Sequence, residues 1–325
     1  MRAVLCRTLG DAGAIGVEEV PAPALGALGV RIAVKAAGVN FPDLLMIQGK
    51  YQVKPALPFI PGLEVAGEVV ECGEGVTHVR PGQRVLGFAR AGGGYASEIV
   101  LPGAIVTPIP DAMDFHTAAA FPIAYGTAHF ALTHRGRLAH GETLLVLGAA
   151  GGVGLAAIEV GKLLGARVIA AARGADKLQI AREHGADEVV DYAAEDLRER
   201  LRSLTGGRGV DVVFDPVGGG AFEHSMRAIA WEGRILVVGF ASGDIPQVPA
   251  NLVLVKNFSL VGVVFGAHSE RFPDDSRRRF TELLAQHGAG ALHPRIWKVY
   301  PLEDAAAALA ALGSRRVIGK VVLTP

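Results

Sequence analysis

The chain is poor in cysteine and has no excess of either charge, and both shortages narrow what it can be. Only Cys6 and Cys72 occur in 325 residues. That excludes a disulfide framework and a four-cysteine zinc lobe, and makes a reducing, cytoplasmic setting the expectation. Lys+Arg and Asp+Glu both number 32, so the formal net charge is zero. A balanced chain has no global field to draw in nucleic acid or an anionic membrane, and neither is expected as a partner. Membrane-length hydrophobic runs are missing as well: the apolar stretch from Thr143 to Ile158 is too short for a bilayer span and is broken by four glycines. Met1-Arg2-Ala3-Val4-Leu5 runs straight into charged and polar residues, unlike a secretory leader. What the chain does have is apolar substance. Half of it is hydrophobic, enough for a large core. Its 43 glycines follow no Gly-X-Y repeat, so they serve turns and close backbone approaches.

At roughly 150 residues per domain the length predicts about two domains, and the pattern changes character accordingly. Val30–Ala36 and Glu64–Glu71 alternate as half-buried strands do, and Pro and Gly punctuate the first third closely, from Pro21 and Pro23 to Pro108 and Pro110. Short strands joined by such turns predict a compact barrel-like domain. From Thr143 onward buried-strand runs alternate with helical patterns. The strands are Thr143–Leu147, Arg167–Ala172, Glu188–Val190, Val210–Phe214, Arg234–Val238 and Leu260–Val264. Helical patterns cover Val153–Leu164, Asp176–His184, Glu195–Thr205 and Gly220–Ala230. This alternation predicts a doubly wound six-stranded parallel sheet, a Rossmann domain. Helices at Asp275–His287 and Leu302–Leu312 and a last strand at Gly319–Leu323 follow.

The strongest local signal is Gly148-Ala149-Ala150-Gly151-Gly152-Val153-Gly154, set between a predicted strand and a predicted helix. Gly151 lets the backbone approach a pyrophosphate, Gly154 lets the helix pack on its strand, and the helix start, with Gly152 and Val153, faces the phosphates. NAD sites place an acid at the end of the second strand. Here that strand ends in Ala172-Arg173-Gly174, with Lys177 close behind. Two cations without an acid point to NADPH rather than NADH.

These residues resemble a known family. Gly141-Glu142 followed by Ala149-Ala150-Gly151-Gly152-Val153-Gly154 is similar to the signature of zeta-crystallin-like quinone oxidoreductases, zinc-free members of the medium-chain dehydrogenase/reductase superfamily. Gly62-Leu63-Glu64-Val65-Ala66-Gly67 resembles the superfamily's glycine-histidine-glutamate motif, with Leu63 in the histidine position. Ala37-Gly38-Val39-Asn40-Phe41-Pro42-Asp43 resembles its early active-site segment. The resemblance runs from about Ala3 to Pro325. It implies a discontinuous GroES-like catalytic domain, residues 1–119 and 266–325, around an NADPH-binding Rossmann domain, residues 120–265, with nicotinamide and substrate held in the cleft between the two. Glu159 stands where the family has Gln and is expected only to touch packing or solvent.

The resemblance also assigns roles. Zinc-dependent relatives bind the metal directly through a Cys and a His, but Asn40 and Leu63 stand at those positions, so no metal is expected. His116, His129, His134 and His140 form no ligand cluster. Asn40 and Thr127 would face the nicotinamide, Asn40 offering an amide N–H and Thr127 a hydroxyl at a helix N-terminus. Asp43 would cap a helix beginning near Leu44. Phe41, Leu45, Phe240 and Phe265 would wall the substrate pocket. Tyr192 and Arg315 would attend the adenosine phosphate. Val217, Gly239, Phe240, Ala241 and Val263 would complete the cofactor contacts at the carboxyl ends of strands. Without a metal, an activated acceptor suits the site, so hydride would pass from NADPH to a quinone or another conjugated carbonyl.

Two other readings stay open. An enoyl-thioester reductase needs a basic entrance, which Lys50, Lys54, Arg271 and Arg277-Arg278-Arg279 could supply. A non-catalytic NADPH-binding protein is the other. The lack of a G-x-x-x-x-G-K-[ST] run and of a Tyr-x-x-x-Lys pair after the glycine loop disfavours a P-loop NTPase and a short-chain dehydrogenase. The apolar strand Ser259–Val264 at a sheet edge predicts a homodimer.

Overall fold

The computed structural model describes residues 1–325. They form two compact units, one of Met1–Gly126, Gly266–Gly290 and Pro294–Pro325, the other of Thr127–Phe265 and Ala291–His293.

The first unit opens with β1 (Arg2–Cys6), β2 (Ile15–Glu19), β3 (Gly29–Val39), helix α1 (Phe41–Ile47), β4 (Glu64–Cys72), β5 (Arg84–Phe88), β6 (Glu98–Pro102) and β7 (Val106–Pro108). Helix α2 (Phe115–Ala119) follows, then α3 (Pro122–His129), which runs from the first unit into the second at Thr127 and continues there as a π-helical turn over Phe130–Arg135. The alternation read in β3 is real: Val30, Ile32 and Val34 are buried while Lys35 is exposed. Apolar side chains from β3, β4, β5, α1 and the C-terminal elements fill one core. Each fully buried aliphatic side chain there contributes about 1.5–3 kcal/mol.

The second unit supplies β8 (Thr143–Leu147), α4 (Gly152–Leu163), β9 (Arg167–Ala172), α5 (Ala175–Glu183), β10 (Glu188–Asp191), α6 (Leu197–Leu204), β11 (Val210–Asp215), α7 (Gly219–Arg227), β12 (Ile229–Val237), α8 (Ala250–Lys256) and β13 (Ser259–Gly262). The six strands are parallel in the order β10-β9-β8-β11-β12-β13, the doubly wound arrangement. Every residue of β8 is buried, because helices cover both faces of such a sheet. Helix α6 shows the local logic. Asp196 caps it through Glu199 N at 2.9 Å, Leu197 and Leu201 face inward, and its arginines lie outside that apolar stripe.

The chain then returns to the first unit with α9 (Phe265–Arg271), α10 (Pro273–Gly288), β14 (Ile296–Pro301), α11 (Ala305–Gly313) and β15 (Lys320–Thr324). The main sheet of that unit runs β14-β15-β3-β4-β5-β7, with β6 also paired to β3.

Three expectations need correction. The sixth parallel strand stops at Gly262, two residues short, and Val264 is exposed. Helix α1 begins at Phe41 with Asn40 as its cap, so Asp43 sits in the first turn and closes a capping box instead of preceding the helix. Glu159 is no packing bystander. It is buried, accepts from His184 Nδ1 at 2.6 Å, and takes the His293 backbone N–H at 3.0 Å.

Candidate functional site

The glycine loop occupies the turn between β8 and α4, with Gly151 at the helix cap. A Cβ on Gly154 would lie 2.4 Å from Gly148 O and 2.8 Å from Ala149 Cα, so only glycine lets α4 seat against its strand. Gly151 differs: a Cβ there would meet nothing nearer than Gly148 O at 3.5 Å. No neighbour within the chain demands that glycine, which leaves its backbone open to approach from outside. Gly152 and Val153 open the helix beside it.

At the next two strand ends Arg173 and Tyr192 come together, the guanidinium carbon 5.2 Å over the ring. Arg173 is exposed and Lys177 lies one turn along α5. An acid is nearby after all, supplied by the neighbouring strand. Asp191 accepts from Gly174 N at 3.1 Å and from Ala193 N at 3.0 Å. Those bonds commit its carboxylate to the turns that hold Arg173 and Tyr192.

At the end of β11 a residue absent from the sequence reading organises the loop. Asp215 is buried and accepts from Val217 N at 2.7 Å and Gly218 N at 2.9 Å. Burial pushes its carboxyl above the usual range despite these bonds. Its own carbonyl accepts from Val238 and Gly239 N, and Pro216 O accepts from Ala241 N at 3.0 Å. The loops bearing Val217, Gly239, Phe240 and Ala241 are thus laced to one another. Phe240 is half-buried, while Val263 and Phe265 are buried, Phe265 lying 6.0 Å from Phe130 between ring centroids. The sequence signal for Asp215 was available: an acid closing the apolar run Val212-Val213-Phe214.

In the first unit the early active-site segment ends in a buried polar cluster. Asn40 N donates to Asp43 Oδ2 at 2.7 Å, Asn40 Nδ2 to Glu64 Oε1 at 2.8 Å, and Lys320 Nζ to Asn40 Oδ1 at 2.7 Å. The second amide hydrogen of Asn40 faces Gly38 O at 3.4 Å. The expected free amide N–H is therefore not on offer, because both polar atoms of Asn40 serve the interior. Lys320 also donates to Glu64 Oε1 at 2.6 Å, and Tyr95 OH donates to Asp43 Oδ2 at 2.8 Å. Asp43 Oδ1 has no partner. Full burial raises the Asp43 carboxyl to about 7, against the pull of the Asn40 N–H, the Tyr95 hydroxyl and the Lys320 charge. Phe41 and Leu45 are half-buried on α1. Leu63, at the family's histidine position, is buried in the apolar core.

Thr127 lies in the interior of α3, not at its start, and is half-buried. Its hydroxyl therefore does not share the helix N-terminus that the sequence led one to expect. Arg315 is exposed just beyond α11 with φ 60°, a left-handed conformation unusual for arginine. The arginine run proposed as a basic entrance is already paired. Arg277 binds Asp274, Arg278 and Arg279 bind Asp275, and Arg279 is buried. Lys320, Glu64 and Tyr95 were missed as a group because their partners lie far apart in sequence. The lysine entering the apolar run Val321-Val322-Leu323 was the one visible sign.

Known proteins agree with this architecture. Residues 26–111 match the alcohol dehydrogenase GroES-like domain, and residues 152–282 match the zinc-binding dehydrogenase model. The quinone oxidoreductase-like protein 2 homolog of Nematostella vectensis is 43% identical over 99% of this chain and 88% of its own. Quinone oxidoreductase-like protein 2 of Bos taurus is 42% identical over 99% of this chain and 92% of its own. The Escherichia coli quinone oxidoreductase complexed with NADPH superposes with a TM-score of 0.93 at 30% identity, covering all of both chains. A GroES-like domain, a doubly wound parallel sheet with its glycine loop, and full-length likeness coincide, and the chain belongs to the quinone oxidoreductase family of the medium-chain dehydrogenase/reductase superfamily.

Proposed function

We propose that the protein is an NADPH-dependent, zinc-independent reductase of quinones or other conjugated carbonyls. The observation that carries this reading is the Lys320 ammonium lodged between Asn40 Oδ1 and Glu64 Oε1, at 2.7 and 2.6 Å. Asn40 and Leu63 stand where zinc-dependent relatives place ligands. Here the amide and the nearby carboxylate are committed to an internal cation, and Leu63 is apolar and buried. No group of three or more His, Cys, Asp or Glu side chains is placed to hold a metal, and residues 152–282 contain no cysteine. A site without a Lewis acid suits an acceptor that is already electrophilic.

The residues present fit NADPH. Gly151 leaves its loop open, and Arg173 and Lys177 supply positive charge where a 2′-phosphate would bind. When bound, NADPH supplies the hydride. Gly151, Gly152, Val153 and Gly154 would hold the pyrophosphate, and Arg173, Lys177, Tyr192 and Arg315 the phosphorylated ribose. Val217, Gly239, Ala241 and Val263 would line the cofactor along the strand ends. Phe41 and Leu45 on the first unit, and Phe240 and Phe265 on the second, would each offer the acceptor apolar surface. Thr127 would donate its hydroxyl to the carboxamide or the acceptor oxygen, while Asn40 acts through the cap of α1. A homodimer built on β13 belongs to the same reading.

The test is NADPH and NADH oxidation by the purified protein with 9,10-phenanthrenequinone, an enone and acrylyl-CoA, alongside metal analysis. Turnover with the quinone or the enone, faster with NADPH and without stoichiometric zinc, is expected. Turnover confined to the thioester, or tight NADPH binding with no turnover at all, overturns the assignment.

A further inference from the structure

The buried charges of the first unit hold more than the cap of α1. Lys320 is 6% exposed and Glu64 1%. The ammonium donates to Glu64 Oε1, Asn40 Oδ1 and Val39 O at 2.6, 2.7 and 3.2 Å, which uses all three of its hydrogens. Glu64 accepts Asn40 Nδ2 on the same oxygen and, on Oε2, the backbone N–H of Ile123 at 2.7 Å. One ion pair therefore ties the last strand, β15, to the cap of α1 and to the first turn of α3. The backbone gives way to admit it: a Cβ on Gly38 would stand 2.3 Å from Glu64 Oε1 and 2.4 Å from Ala119 O.

A buried ion pair is a poor source of net stability, since desolvation offsets its attraction and an apolar pair of similar volume often serves as well. An apolar pair cannot orient an amide, however. Lys320 donates to one end of the Asn40 side chain and Glu64 accepts from the other, so the pair fixes which way that amide faces and where α1 begins. Glu64 likewise meets an N–H of α3 that its own helix leaves unbonded.

We propose that Lys320 and Glu64 are positioning residues for hydride transfer, holding the start of α1 and the first turn of α3 in one fixed arrangement. This rests on the reductase reading, in which α1 presents Phe41 and Leu45 and α3 presents Thr127.

The experiment compares wild type, K320R, K320M and K320M/E64Q by steady-state kinetics, thermal melting and amide hydrogen exchange. K320M lowers kcat by about 10- to 100-fold, the scale of a small misplacement of reacting groups, while the KM for NADPH holds within about threefold. K320R keeps the cation and retains most of kcat. Measured at pH 6, where Asp43 keeps its proton, K320M/E64Q carries no unpaired buried charge, so its Tm returns to the wild-type value while kcat stays low. In that double variant exchange accelerates in 41–47 and 123–129. Tm and kcat that fall and recover together, a double variant whose Tm stays low, or unchanged exchange in both segments would overturn the proposal. If wild type reduces no quinone or enone, the reductase reading fails on its own, and the exchange measurement still decides whether the pair holds the two helices.

Discussion

At the residue scale two side chains make separable predictions. Arg173 is exposed at the end of β9, over the Tyr192 ring, with Lys177 one turn on. A charge-assisted contact to a 2′-phosphate is worth about 1.5–3 kcal/mol, roughly 10- to 150-fold in affinity. Arg173→Ala should therefore weaken NADPH by about that factor and leave NADH nearly unchanged, as read by titration calorimetry. Equal losses for the two cofactors would show that Arg173 does not read the extra phosphate. Asp43 makes a prediction about pH. Its carboxyl is raised from 3.8 to about 7 by full burial. Below pH ~4 it is protonated in both folded and unfolded chains and costs nothing. Between pH ~4 and ~7 the unfolded chain releases a proton that the folded chain keeps, so stability falls as pH rises. Above pH ~7 the full cost is present, up to about 4 kcal/mol. Asp43→Asn keeps an oxygen to accept from Asn40 N and Tyr95 OH, and cannot ionise. Its amide group is left without an acceptor, a fixed cost of about 1–3 kcal/mol. Urea melts should show the variant gaining on wild type by several kcal/mol between pH 4.5 and 7.5. A difference independent of pH would mean that Asp43 is ionised throughout.

At the scale of elements, legibility followed locality. The six parallel strands were readable because each centres on apolar residues, buried in the inner strands and largely exposed in β13, and α4 because Gly151 and Gly154 mark its start. Two glycines that look alike in sequence proved to be different objects. Gly154 is demanded by Gly148 O, whereas Gly151 is demanded by nothing in the chain. Helix α2 escaped notice and the start of α3 was set too late, because neither sequence shows a polar stripe against which a 3.6-residue period stands out. That is also why Thr127 was misplaced at a helix start. Asn40 was found from its segment but misread, since its partners Glu64 and Lys320 stand 24 and 280 positions away. Glu159 was underrated for the same reason: His184 and His293, which it joins, lie 25 and 134 positions off. Single positions and short motifs announce a strand or a loop. A buried polar cluster is written in residues that only the fold brings together.

At the scale of the whole molecule the open question is what covers the outer edge of the parallel sheet. β13 pairs only with β12, so its outer edge has no partner strand along Ser259–Gly262, although Gly262 O accepts from Arg135 Nε at 2.9 Å. Large apolar side chains accompany that edge in the chain. Leu254 and Val255 on α8 are 78% and 70% exposed, Leu260 on β13 40%, and Val264 just beyond it 57%. Trp231 is 68% exposed, and its neighbour Glu232 donates its N–H to Asn257 O at the end of α8. Monomers rarely leave such residues grouped in water, and an uncharged edge strand invites pairing. A second copy can satisfy both demands, because a twofold axis sets β13 antiparallel to itself and joins two six-stranded sheets into one. Light scattering at micromolar concentration should therefore give twice the mass of one chain. L260K/V264K puts two like charges against their own symmetry mates and should return the single-chain mass without lowering NADPH affinity. Wild type running at the mass of one chain would reject the dimer. A variant that stays dimeric would move the interface elsewhere on the surface.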